Sequence, residues 1–297
     1  MSESLESLTR KMGGARDLGS VVRTMKALAA SSVGQYETAV RSLVDYYRTV
    51  ELGLVACVSH GPVAAFAGSE GKAAGAIGAV VFGSDQGLVG QFNDVLTDFV
   101  VRTLAALPGE KEVWAVGERI HSRLEDAGLP LAGLYTVPGS VSAITTLVGQ
   151  IQVEIEGTHA KGEYPQVYLF HNRPISGANY QPSSQRLLPL DEEWRSKLMK
   201  IPWPTGNLPE VISGDAPTLR ALIREYLFVS LFRTCAESQA SENTSRLVAM
   251  QRAEKNIDDL LETLTRNFNR LRQTSIDEEL FDVISGFEAL TGPGKNV

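Results

Sequence analysis

The stretch with the most chemical potential is Gly83-Ser84-Asp85-Gln86-Gly87-Leu88-Val89-Gly90, which follows a predicted strand and opens a predicted helix. Phosphate groups of nucleotides are held at such a place by backbone N–H groups at a helix N-terminus. The glycines here have GxxxGxxG spacing, whereas the dinucleotide fingerprint is GxGxxG with an acidic residue about 20 positions on to grip a ribose. No such residue closes a second strand, and no Lys-Ser or Lys-Thr follows Gly90 as a P-loop requires. Gly83, Ser84, Asp85, Gly87 and Gly90 therefore read as a tight structural turn. His60, His121, His159 and His171 fall in different predicted elements, none at the i, i+4 spacing of a helical metal site, and each is expected at the surface or in a loop. Cys57 and Cys235 stand far apart without a CxxC pair and read as small apolar residues in a reducing cytosol. Asp277, Glu278 and Glu279 read as a solvated helix face. Met25 and Lys26 have a plain reading too: methionine fills packing gaps and a lysine can snorkel to solvent. No catalytic residue, cofactor or metal ion is expected.

The elements that carry these residues are two long helices and a region between them. Alternating steps of three and four from Leu5 give Leu8, Met12, Ala15, Gly19, Val22, Lys26, Ala29, Val33, Tyr36, Val40, Leu43, Tyr47, Val50 and Leu54. Only Gly19 and Lys26 interrupt this apolar heptad seam, whose 3.5 period demands a left-handed supercoil. At about 1.5 Å per residue the helix would be roughly 75 Å long, so it must project. A second seam runs Leu219, Leu222, Tyr226, Val229, Arg233, Ala236, Ala240, Asn243, Leu247, Met250, Glu254, Ile257, Leu261, Leu264, Phe268 and Leu271. Its polar members Arg233, Asn243 and Glu254 cost stability but can fix register. Beyond Leu271 the phase shifts to Ile276, Leu280, Val283, Ile284 and Phe287, as suits a tip that has left its partner helix; Gly292-Pro293-Gly294 then stops the helix.

Pairing the two seams as an antiparallel hairpin makes the middle of the chain an insert. Its short apolar runs, Ala76 to Phe82, Val113 to Val116 and Val167 to Phe170, read as strands. Helical patterns lie between them, from Asn93 to Leu107, Glu118 to Ala127 and Val141 to Glu156. The expected fold is α+β: a long antiparallel coiled coil of N- and C-terminal helices with an inserted Rossmann-like α/β domain. Residues 1–58 and 216–290 form the two coiled-coil helices and 75–200 the insert. From Pro174 to Pro217 the chain reads as a last strand near Gln185 to Leu190 and then a loop. The charge of −7 speaks against a nucleic-acid partner. The polar start MSESLESLTRK does not read as a signal peptide, and no apolar run approaches the roughly 20 residues of a membrane span.

Three segments resemble one family, the gamma subunits of F-type ATP synthases. Val22-Arg23-Thr24-Met25-Lys26-Ala27-Leu28-Ala29-Ala30-Ser31 looks like the family's N-terminal signature, and the Gly83 to Gly90 segment is similar to its Ser-Asp-Arg-Gly-Leu-Cys-Gly turn. Ser241-Glu242 through Arg246-Leu247-Val248-Ala249-Met250, then Phe268-Asn269-Arg270-Leu271-Arg272-Gln273 to Ile276, Glu279, Leu280, Ile284, Ser285 and Gly286, follow the family almost in step. The resemblance implies a rotating central stalk. Ion flow would turn a membrane ring of c subunits and the shaft together, and the asymmetric shaft would bias the catalytic beta subunits of an alpha/beta hexamer in sequence. The foot, with the epsilon subunit, would rest on the ring at the cytoplasmic face of the bacterial inner membrane, peripheral and held through partners. By position Met25 and Lys26 would face a beta subunit. Arg246, Arg272, Gln273 and Glu279 would face the hexamer, and Leu280, Val283, Ile284 and Phe287 would sit in a greasy bearing. Three departures look more like the divergent branch of a second, sometimes sodium-coupled ATPase: Ser32 to Tyr36 lacks basic residues, Asp277 replaces a threonine, and the loop from Ile201 to Asp215 differs. The rival reading is a nucleotide-binding α/β protein with a coiled-coil dimerisation arm.

Overall fold

A computed structural model describes residues 4–60, 76–161, 164–175, 179–207 and 215–290. The expected helix stop at Gly292 to Gly294, part of the 201–215 loop, and the side chains of His60 and His159 lie outside them. Two helices, α1 (Leu5–His60) and α6 (Asp215–Leu290), carry the seams. Every seam position from Leu5 to Leu54 and from Leu219 to Leu271 is buried or half-buried. Leu8, Ala15, Val22, Ala29 and Tyr36 recur at strict intervals of seven and are each 7% exposed or less, as a helix drifting about 20° per heptad allows only if it supercoils.

The chain divides into two compact units, Met1–Leu28 with Ala249–Val297, and Ala29–Val248. In the first, Lys26 meets Glu254, and a Cβ at Gly19 would lie 3.4 Å from Ile257. In the second, Gly53 packs on Leu222 and Tyr47 on Tyr226, ring centroids 5.8 Å apart. In both, the partner's number falls as the α1 number rises, so the pairing is antiparallel.

The second unit also holds a five-stranded sheet of order β3-β2-β1-β4-β5. The strands are β1 (Ile77–Phe82), β2 (Lys111–Val116), β3 (Leu131–Tyr135), β4 (Gln166–Ile175) and β5 (Asn179–Leu188). The first four pair in parallel and β5 runs antiparallel to β4. Helices α2 (Phe92–Ala105) and α3 (Glu118–Asp126) cover one face, where Leu96, Val100, Ile120 and Leu124 pack on Ile77, Ala79 and Val81. On the other face Val80 and Phe82 share a core with Ile144 and Ile151 of α4 (Val141–Lys161) and with α1 and α6. Every residue of β1 is consequently buried, as a central parallel strand covered on both faces must be.

Three features differ from the sequence expectation. The edge strand β3, of only five residues alternating half-buried and exposed, is too short to stand out as a strand in the sequence. The last strand starts at Asn179 rather than near Gln185. Its polar sequence and Pro182 disguise it, and both are tolerated because β5 is an edge strand paired on one side only. The segment read as loop contains a short helix, α5 (Glu192–Leu198), whose first turn is capped by Asp191 accepting from the Trp194 N–H at 3.0 Å.

Candidate functional site

The glycine turn leaves β1 at its C-terminal end. A Cβ at Gly83 would stand 2.2 Å from the Ile120 Cβ, so only glycine lets α3 pack this closely. Ser84 and Asn93 bond reciprocally: the Ser84 N–H donates to Asn93 Oδ1 at 3.2 Å and Asn93 Nδ2 donates to Ser84 Oγ at 2.8 Å. The Ser84 hydroxyl donates onward to the Gln86 carbonyl at 2.9 Å. Asp85 accepts from the Glu118 N–H at 3.1 Å and from the Val137 N–H at 3.2 Å, tying the start of α3 to the end of β3. Leu88 and Gly90 take left-handed φ values of 62° and 58°. The Ser84 N–H and the side chains of Ser84 and Asp85 are thus bonded to the protein itself.

This turn docks on α6. Ser238 Oγ donates to the Phe82 carbonyl at 2.9 Å and Ser245 Oγ to the Val89 carbonyl at 2.6 Å. Between them the helix is surrounded: all residues from 234 to 243 are buried, Glu237, Ser238, Gln239, Ser241, Glu242 and Asn243 among them. Each of the two carboxylates has a cationic partner. Glu237 accepts from Arg233 Nε at 2.8 Å and from His171 Nε2 at 2.9 Å, with Arg173 Nε 3.7 Å away. Burial pushes the Glu237 carboxyl up, but hydrogen bonds from His171 and Arg233 outweigh it and hold the group at about 2. Glu242 accepts from Arg246 at 2.5 Å and from Gln239 at 3.1 Å. Its burial prevails over Arg246, so its carboxyl is raised.

His171 corrects the expectation of a surface or loop histidine. It lies on β4, 4% exposed, opposite α6. Because a carboxylate can only accept, Nε2 carries the proton toward Glu237, and Nδ1 has no hydrogen-bond partner among the described residues. The signal that sequence reading passed over was the run of polar residues from Glu237 to Asn243 inside a seam. Such a run offsets its desolvation cost only if the facing elements supply partners.

The other predicted residues are dispersed. In the first unit Met25 is half-buried against the Val22, Met250 and Ile257 cluster. Lys26 donates to Glu254 at 2.5 Å, with its side chain 34% exposed. Arg272, Gln273 and Glu279 are exposed. In the second unit Arg246 is only 15% exposed along its side chain, held by Glu242 and by Asn243 Oδ1 at 3.2 Å. The distal part of α6 presents Leu280, Val283, Ile284 and Phe287 at 45–69% exposure, joined by Ile276 and Phe281. Cys57 and Cys235 are buried in the core, and burial raises the thiol pKa of Cys235. Among the described residues no cluster of His, Cys, Asp and Glu is placed to hold a metal ion, and no helix is long and apolar enough to cross a membrane.

A family model described as ATP synthase matches residues 4–290. The ATP synthase gamma chain of Syntrophus aciditrophicus is 28% identical over 293 residues, covering 97% of this chain and 98% of that protein. The gamma chain of Salinibacter ruber is 28% identical, with 98% and 99% covered. Among solved structures, a chain of the Euglena gracilis mitochondrial ATP synthase rotor superposes with a TM-score of 0.62 at 14% identity, over 92% of this chain and 98% of that one. A chain from the central stalk and c-ring of the Tetrahymena thermophila enzyme gives 0.55 at 20% identity, over 78% and 99%. These likenesses show a common fold.

Proposed function

The chain belongs to the F-type ATP synthase gamma family, and from that premise we propose that it is the rotating central stalk coupling ion flow through a membrane c-ring to ATP synthesis or hydrolysis in an alpha/beta hexamer. The observation that carries this reading is the match along both helices and the insert, together with an α6 that outruns its seam and ends in exposed apolar residues. A shaft must resist twist. Two helices interlocked knob into hole do so better than one, because twisting the pair shears every buried contact at once. A shaft must also offer different faces to identical neighbours, so that each beta subunit is biased toward a different state as it turns.

On this reading residues 1–58 and 216–290 form the shaft and 75–200 the insert at its foot. The foot meets the epsilon subunit and the ring at the cytoplasmic face of the bacterial inner membrane, and the chain stays peripheral. Arg272, Gln273 and Glu279 face the hexamer, and Leu280, Val283, Ile284 and Phe287 turn in an apolar bearing. Arg246 belongs with these hexamer-facing positions, and Met25 lines the shaft where a beta subunit moves. Lys26 contributes first to the shaft itself, because its charge is paired with Glu254. The Gly83 to Gly90 turn serves to seat the insert on α6, which its bonds to Ser238 and Ser245 support.

The test is ATP hydrolysis by co-expressed alpha and beta subunits from the same source, purified with and without this chain. A stable complex that hydrolyses ATP only with the chain present is expected. A chain that fails to co-purify, and instead binds nucleotide by itself, would overturn the stalk reading.

A further inference from the structure

The stalk reading makes no use of one buried carboxylate, Glu237, and the groups bonded to it. Glu237 is 5% exposed and His171 4%, and they belong to different elements, α6 and β4. Apolar packing resists sliding of a sheet on a helix only through shape, whereas a hydrogen bond also depends on direction. The buried α6 residues Ala236, Ala240 and Ser241 nearby have small side chains. Charge-assisted hydrogen bonds do resist such motion, since their strength falls steeply with angle and distance.

We propose that Arg233, Glu237 and His171 form the joint that fixes the angular position of the inserted sheet on α6, so that torque entering one is delivered to the other. The proposal rests on the stalk reading. Glu237 Oε1 takes the Arg233 Nε–H at 2.8 Å from its own helix, leaving Oε2 to His171 at 2.9 Å from the sheet. Arg233 therefore orients the carboxylate that grips the sheet. The other face of Arg233 lies over the Tyr47 ring of α1, 5.7 Å from guanidinium carbon to centroid, and Glu51 of α1 adds a carboxylate within electrostatic reach. Arg233 thus links α1 to the carboxylate that bonds β4. Arg173 stands at the rim, half exposed and 3.7 Å from Glu237. A buried charge network of this kind adds less stability than well-packed apolar residues would, so its gain lies in defining a single arrangement.

The experiment uses the whole ATP synthase assembled with this chain in sealed vesicles, measuring ions pumped per ATP hydrolysed. With Glu237→Gln, the ratio should fall by about twofold or more, the scale on which networks of contacting residues set coupling. A triple variant, Arg233→Met with Glu237→Leu and His171→Phe, separates positioning from packing. It should match the wild-type unfolding midpoint in the purified chain yet still pump at the lowered ratio. Glu237→Asp, which keeps the charge, should recover part of the loss. If either Glu237→Gln or the triple variant assembles and pumps at the wild-type ratio, the joint is overturned while the stalk reading stands. If the wild-type chain itself fails to confer hydrolysis on the hexamer, both fall.

Discussion

Glu237 and Glu242 lie within two turns of α6, both nearly inaccessible, and are driven in opposite directions. Burial acts on both, but His171 and Arg233 overcome it at Glu237, whereas Arg246 does not overcome it at Glu242. The folded pKa of Glu237, about 2, lies below the ordinary 4.5. Its stabilisation is therefore complete above pH 4.5 and is lost as pH falls toward 2. The amount is on the order of 3 kcal/mol. Urea midpoints of the purified chain across that range should decline steeply for the wild type and more shallowly for Glu237→Gln. Glu242 works the other way, its raised carboxyl favouring the fold when protonated and costing stability as pH rises through its folded pKa. At Lys26, pairing with Glu254 makes a double-mutant cycle informative. Lys26→Ala alone should cost about 1 kcal/mol, and less when Glu254→Ala accompanies it, because the carboxylate is then no longer left without its cation. Equal and additive losses in thermal unfolding would show that the pair contributes nothing.

Among the elements, the glycine turn is the most exacting. Gly83→Ala would drive a methyl into Ile120, while a methyl at Gly87 would meet nothing within 4 Å. Gly83→Ala should therefore destabilise the chain by about 1–3 kcal/mol, the usual cost of overpacking, and Gly87→Ala by far less. Denaturant unfolding of the two variants measures the difference. Gly117 is comparably constrained, with φ of 119° and a Cβ that would meet the Ser84 backbone at 2.6 Å. Long elements with one strong period were legible from residue types alone, since each seam repeats its signal many times over. The strand β5 was not, because an edge strand needs apolar residues on fewer sides and tolerates proline, and β3 was not, because five residues carry too short a signal.

At the scale of the molecule, the distal apolar residues of α6 are exposed and so contribute little to the chain's own fold. Deleting residues from Leu280 onward should leave the unfolding midpoint of the purified chain nearly unchanged while weakening assembly or torque with the hexamer. Unchanged coupling in the assembled complex would remove the bearing role. The same contrast separates the two kinds of residue in the stalk. Of the residues predicted to meet partners, Arg272, Gln273 and Glu279 are exposed at the surface, whereas Met25 is half-buried and Lys26 and Arg246 are bonded within the chain.

Two things were determined by the sequence alone: the paired seams, with the loss of phase after Leu271, and the motif segments that carry the family resemblance. Both are local patterns, periods of three and four residues or short contiguous strings, and they survive without knowledge of what packs where. Tertiary structure decided the rest. Whether a buried polar residue is a fault or a joint depends on what faces it, and His171 stands 66 positions before Glu237 in the chain. Only folding brings the strand carrying one onto the helix carrying the other. Lys26 likewise needed Glu254, 228 positions away, to become a member of the shaft rather than a charge pointing at solvent.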